Sequence, residues 1–186
     1  MQRIIMLICI LVSCVSAGSC FPGYGLYSEI SDGTSYGLIP ERGCFTSIRP
    51  YGAFAQEIFD AINYERTSRG LAALNPDSRL ARIACLRSQD MAQKHYFGHV
   101  SPTGETVFTL MERFGIPYAY AWAGENTAFN SYPADQTVTV AIHNWMASKG
   151  HRDNILLIYY TNVGVGVATD GMGIYYYTVV FLGPSQ

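Results

Sequence analysis

The pentapeptide Val163-Gly164-Val165-Gly166-Val167 constrains this chain more than any other stretch. Strict alternation reads as a β-strand, with three β-branched side chains on one face and bare backbone on the other. Glycine repeated on one face of a strand means that another element packs closely there. Downstream, Asp170-Gly171 marks a turn, and residues 174–182 are dense in β-branched and aromatic residues, so a hairpin is expected.

Upstream, the period changes to 3.6. Phe54, Ile58 and Ile62, with Ala61 beside them, form one apolar stripe through residues 54–68, closed by Gly70. Asn75-Pro76 predicts an N-cap followed by proline, opening a helix to Lys94 with Leu80, Ala84 and Met91 inward. Val107, Leu110, Met111 and Phe114 predict a third helix that stops at Gly115. A fourth starts near Pro133, carries Val138, Ala141, Ile142 and Trp145, and stops before Gly150. Residues 118–125 read as a strand. Early helices and a late hairpin predict an α+β fold built around an antiparallel sheet.

The first residues carry an address. Met1-Gln2-Arg3 and the apolar run 4–12 have the form of a secretory leader and are too short to span a bilayer as a helix. Val15-Ser16-Ala17 fits signal-peptidase cleavage, giving a leader of residues 1–17. Leu11-Val12-Ser13-Cys14 fits a lipobox, giving a leader of 1–13 and a lipid on Cys14. Both readings export the protein: secretion is favoured, and anchorage at a bacterial envelope is the alternative. No transmembrane helix is expected in the mature chain. Residues 18–53, rich in Gly, Tyr, Pro and Ser, read as an N-terminal extension, and 54–183 as the domain.

Export gives the cysteines meaning. Cys20 and Cys44 are expected to close a loop, or else all three mature cysteines are free thiols. Cys85, beside Ala84 and Leu86, reads as a buried thiol. Charge excludes one class of partner. The formal net charge is −2, there are two lysines, and the arginines are scattered, so no basic stripe exists to displace counterions from nucleic acid.

Four histidines are available: His95, His99, His143 and His151. His143 faces away from Trp145 and reads as a surface residue. His95 and His99 are four apart, but Tyr96 stands where a zinc protease needs glutamate. Ser148 lacks the Gly-x-Ser-x-Gly elbow of an activated nucleophile and is expected to satisfy the last turn of its helix. Cys85 has nothing nearby to depress its pKa. Arg152 and Asn154 are expected to bond backbone carbonyls. His99, Glu125 and His151 each fall at a predicted element end, where functional side chains concentrate.

Four segments then line up in order: His99-Val100-Ser101-Pro102, Gly124-Glu125-Asn126, the run from Trp145 through His151 to Ile155, and Val163-Gly164-Val165-Gly166. Together they resemble the successive motifs of bacterial-type members of the CAP superfamily, the SCP domain. The resemblance implies a three-layer α-β-α sandwich with a central, mainly antiparallel sheet. It also implies a cleft of two histidines, here His99 and His151, and one acid, Glu125. The place of a second acid falls on or near Ser148, which leaves the family's metal tetrad incomplete.

Two imidazoles and a carboxylate could bind zinc or another divalent cation through His99 and His151, act as an acid–base site, or hold loops together by hydrogen bonds. The function implied is that of an exported binding module for a protein, lipid or cell-envelope ligand. The alternative is a metal-dependent hydrolase using the same cleft, with His99, Glu125 and His151 as its catalytic candidates.

Overall fold

The computed structural model describes residues 44–46, 53–118 and 121–185. The expected leader, the Cys14 lipidation site and Cys20 lie outside the described residues. Along the chain run β1 (Cys44–Thr46), α1 (Ala53–Thr67), β2 (Asn75–Pro76), α2 (Ser78–Lys94), α3 (Val107–Arg113), β3 (Ala121–Asn130), α4 (Thr137–Ala147), α5 (Lys149–Leu156), β4 (Asn162–Thr169) and β5 (Tyr175–Ser185).

The sheet order is β1-β4-β5-β3, antiparallel throughout, with β2 added parallel to the start of β4. Both faces are covered by helices. Val163, Val165 and Val167 of β4, with Tyr177, Val179 and Phe181 of β5, meet Ile58 and Ile62 of α1 and Ala141 and Trp145 of α4. The opposite face meets α2 and α3 through Leu80, Ile83, Leu110, Met111 and Val180. The expected α+β class and the layering of helices about a mainly antiparallel sheet are both present.

The bare face of β4 is where α2 lies. A Cβ on Gly164 would fall 2.1 Å from the Ala81 amide nitrogen, and one on Gly166 2.2 Å from the Ala84 carbonyl carbon. The obstacle in both cases is helix backbone, so no side-chain rotation could relieve it. Helix and strand touch main chain to main chain.

Four local expectations differ. Asn75-Pro76 does not open the helix. The Asn75 amide donates to Thr161 O at 2.8 Å and the Asp77 amide to Val163 O at 2.9 Å, which makes a short strand. Asp77 then caps α2, its side chain accepting from the Arg79 and Leu80 amides. β3 runs on to Asn130, so Glu125 sits within the strand rather than at its end. The fourth helix stops before Gly150 as expected, at Ala147, but the chain restarts at once as α5, which carries Gly150 and His151 within a helix rather than after one. Finally, part of the segment expected to be a loop-like extension supplies β1, which pairs with β4.

Cys85 is buried, as expected, yet it is disulfide-bonded rather than a free thiol. Of Cys44 only the backbone is described. The expected Cys20–Cys44 bridge involves Cys20, which lies outside the described residues. Local composition could not reveal the bond at Cys85, because a cysteine on an apolar helix face looks the same whether or not a second sulfur reaches it.

Candidate functional site

α2 ends on His95, whose left-handed backbone (φ 51°) turns the chain into the loop that carries His99. That loop is anchored from within α2. Arg87 is fully buried; its Nη2 donates to Gly98 O at 2.8 Å and its Nη1 to Tyr96 Oη at 2.7 Å and Glu105 O at 3.4 Å. Tyr96 Oη in turn donates to Asp90 Oδ2 at 2.6 Å.

From the sheet comes Glu125, paired with Val180 across the β3–β5 ladder. Its Oε2 lies 2.6 Å from His99 Nδ1, and its Oε1 lies 3.5 Å from Arg87 Nε. The second separation is an ion pair without hydrogen-bond geometry, so both of those atoms are buried and lack a hydrogen bond. The Glu125 side chain is only 4% exposed, whereas that of His99 is 57% exposed.

His151 approaches from the first turn of α5. Asn126 Nδ2 donates to His151 O at 2.9 Å, and Asn154 Nδ2 donates to Glu125 O at 3.2 Å and Asn126 Oδ1 at 3.0 Å. A Cβ on Gly124 would stand 2.3 Å from Tyr160 Oη and 3.1 Å from Asn154 Oδ1, so this glycine admits the groups that bind α5 to β3. The three motif segments that sequence order brought together are thus joined by hydrogen bonds.

The two imidazoles are pulled in opposite directions. The hydrogen bond to Glu125 raises the His99 pKa above the usual 6.5, against burial and the Arg87 charge. Burial lowers that of His151, helped by the charge of His99.

The remaining candidates have structural places. Arg152 Nη1 donates to Met146 O at 2.9 Å, and Trp145 is core, its Nε1 donating to Thr127 O. His143 is exposed. Ser148 acts through its backbone: its amide donates to Asn144 O in the last turn of α4, its carbonyl accepts from Arg152 N, and its side chain makes no cap on α5. The last turn of α4 is thus met by the Ser148 amide.

Glu125 is not free to act as a ligand for a divalent cation. One Glu125 oxygen is held by His99 and the other faces a guanidinium. Among the described residues no group of three His, Cys, Asp or Glu side chains could hold a metal ion. His99, Glu125 and His151 do not form such a group of three, and this does not bear on ligation by His99 and His151 alone.

Arg87 is the member that sequence reasoning missed, and the signal was present. It stands at i+3 from Ala84, i+4 from Ile83 and i−4 from Met91, all buried. A charge on the inward stripe of a helix demands a buried partner.

Comparison with known proteins supplies the kinship. The model of the CAP (cysteine-rich secretory protein) family matches residues 59–181. The Bacillus subtilis protein YkwD, described as uncharacterized, is 40% identical over 119 residues, covering 64% of this chain and 44% of that protein. A Bacillus anthracis extracellular protein containing an SCP domain superposes with a TM-score of 0.60 at 31% identity, covering 71% of this chain and 41% of that one. This chain thus spans less than half the length of both relatives. An outer surface protein of Borrelia burgdorferi, at 15% identity and TM-score 0.62 over 72% of this chain and 94% of that one, shares the fold alone. The chain belongs to the CAP, or cysteine-rich secretory protein, family.

Proposed function

We propose that this protein is an exported binding module whose ligand seat is the cleft bordered by His99, His151 and Ser148 above Glu125, and that it is not a hydrolase. One observation carries the reading: the carboxylate is spent inside the protein while the His99 ring it holds is exposed. Glu125 is enclosed by His99 and Arg87, which suits orienting an imidazole and not activating water. Two residues from the half-exposed His99, Phe97 meets Phe129 at a tilt, ring centres 4.7 Å apart, and the two are 48% and 51% exposed. Hydrogen-bonding imidazole next to exposed aromatic surface suits a ligand with a polar head and an apolar body, as in lipids and envelope components.

Export is supported by the leader-like first residues, by a disulfide at Cys85, which oxidising compartments favour, and by the extracellular SCP-domain relative. No described helix is long and apolar enough to cross a membrane. Mass spectrometry of the mature N-terminus distinguishes secretion, which leaves Gly18 first, from anchorage through a lipidated Cys14.

The function test uses fatty acids, phospholipid vesicles and isolated envelope fragments as probes, with ester, peptide and glycan turnover followed in parallel. Saturable binding that is lost in His99→Ala and in Phe97→Ser/Phe129→Ser, without turnover, is expected. Turnover abolished by His99→Ala or Glu125→Gln would establish the hydrolase instead. Binding to none of the probes would reject the module.

A further inference from the structure

A buried carboxylate needs a compensating positive charge, and in this cleft the charge is built into the chain. Arg87 has no freedom to leave. Its guanidinium is tied to Gly98 O, Tyr96 Oη and Glu105 O, and its ζ carbon lies 5.9 Å from the centre of the Tyr96 ring. Its remaining nitrogen, Nε, looks at Glu125 Oε1. A divalent cation seated on that oxygen would lie against a fixed guanidinium. That arrangement is repulsive at short range and poorly screened away from water.

We infer that Arg87 is the positioning residue of the cleft and takes the place of a metal there: it neutralises Glu125 and, through Gly98, sets the loop from which His99 meets the same carboxylate. The cleft is organised without a metal, and its accessible groups are imidazoles rather than anions. Arg87 itself touches no ligand, because it is fully buried. The inference concerns the same cleft as the proposed binding role but needs no ligand, so its test can fail independently of that role.

The experiment has two readouts on the mature protein. The first is a double-mutant cycle of Arg87→Met and Glu125→Gln, read by denaturant unfolding. Each single change strands a buried charge and lowers the folding constant by about 100-fold or more. The double change loses far less than the product of the two. Additive losses would overturn the inference, because they would mean that Arg87 acts only through the loop carbonyls.

The second readout is zinc chloride titration by calorimetry. Arg87→Met leaves Glu125 uncompensated beside His99, so zinc affinity rises about tenfold or more over wild type. The gain disappears in Arg87→Met/Glu125→Gln, and Arg87→Lys, which keeps the charge, behaves as wild type. Equal affinity in wild type and Arg87→Met, abolished in both by His99→Ala, would show a metal site indifferent to Arg87 and overturn the inference. If Arg87→Met does not fold, the charge-free double variant decides: its folding supports the pairing, and its failure to fold removes the pairing as the cause.

Discussion

Replacing Gly166 by alanine tests the contact on which both layers and site depend. The added methyl would sit 2.2 Å from Ala84 C, 2.3 Å from Cys85 N and 2.4 Å from Ala84 O. Ordinary contact begins at 3.4 Å, so α2 or β4 must retreat by roughly 1 Å. A retreat of that size forfeits up to about half of each dispersion well it opens. Leu80, Ile83 and Met91 of α2 are fully buried, and side chains of this kind each hold ~40–60 contacts of ~0.1–0.2 kcal/mol.

Losing about a fifth of these amounts to about 4 kcal/mol, slightly above the ~1–3 kcal/mol usual for overpacking. Urea unfolding followed by tryptophan fluorescence, with the disulfide intact, should show that loss, and the melting temperature should fall by roughly 10–15 °C. Because α2 also carries Arg87, the guanidinium is displaced from Glu125 by the same movement. Gly150→Ala is the control. Nothing lies within 4 Å of its added Cβ, and α5 should be unaffected or strengthened by ~0.4–1 kcal/mol. A Gly166→Ala protein within about 1 kcal/mol of wild type would refute the main-chain contact between α2 and β4.

Two further outcomes follow from the same structure. Arg66, 1% exposed, donates to Ala72 O, Ile155 O and Leu157 O at 2.8–2.9 Å. Arg66→Lys cannot reach all three with one ammonium and should cost about 2–4 kcal/mol in urea unfolding, and a loss under ~1 kcal/mol would remove Arg66 as the clasp between α1 and the end of α5. In an NMR titration His99 should titrate above 6.5 and His151 below it. The raised His99 pKa gives stability that is full below pH 6.5 and lost as pH rises through the folded value; it is small because the ring is half exposed. The lowered His151 pKa gives stability present above pH 6.5 and lost as pH falls through its folded value. Glu125→Gln should bring His99 down, and a His99 unmoved by that change would show that Glu125 does not govern it.

The sequence alone determined the helical stripes, the alternating strand and the kinship of the chain, because each is written in local periodicity or in short motifs read in order. It also named His99 and Glu125, which the structure joins directly, and His151, whose segment the fold ties to that of Glu125 through Asn126 and Asn154. Asn75-Pro76 misled because the backbone partners that make it a strand, Thr161 and Val163, are more than eighty residues away. The break at Ser148 was hidden for a similar reason: α5 is held by Asn126 and by burial of Ile155, neither of which is local. Only tertiary structure decided what the cleft contains besides its motif residues. Arg87 and the bond at Cys85 depend on which groups long-range packing brings within a few ångströms, and a buried charge or sulfur is defined by its partner, not by its neighbours in the chain.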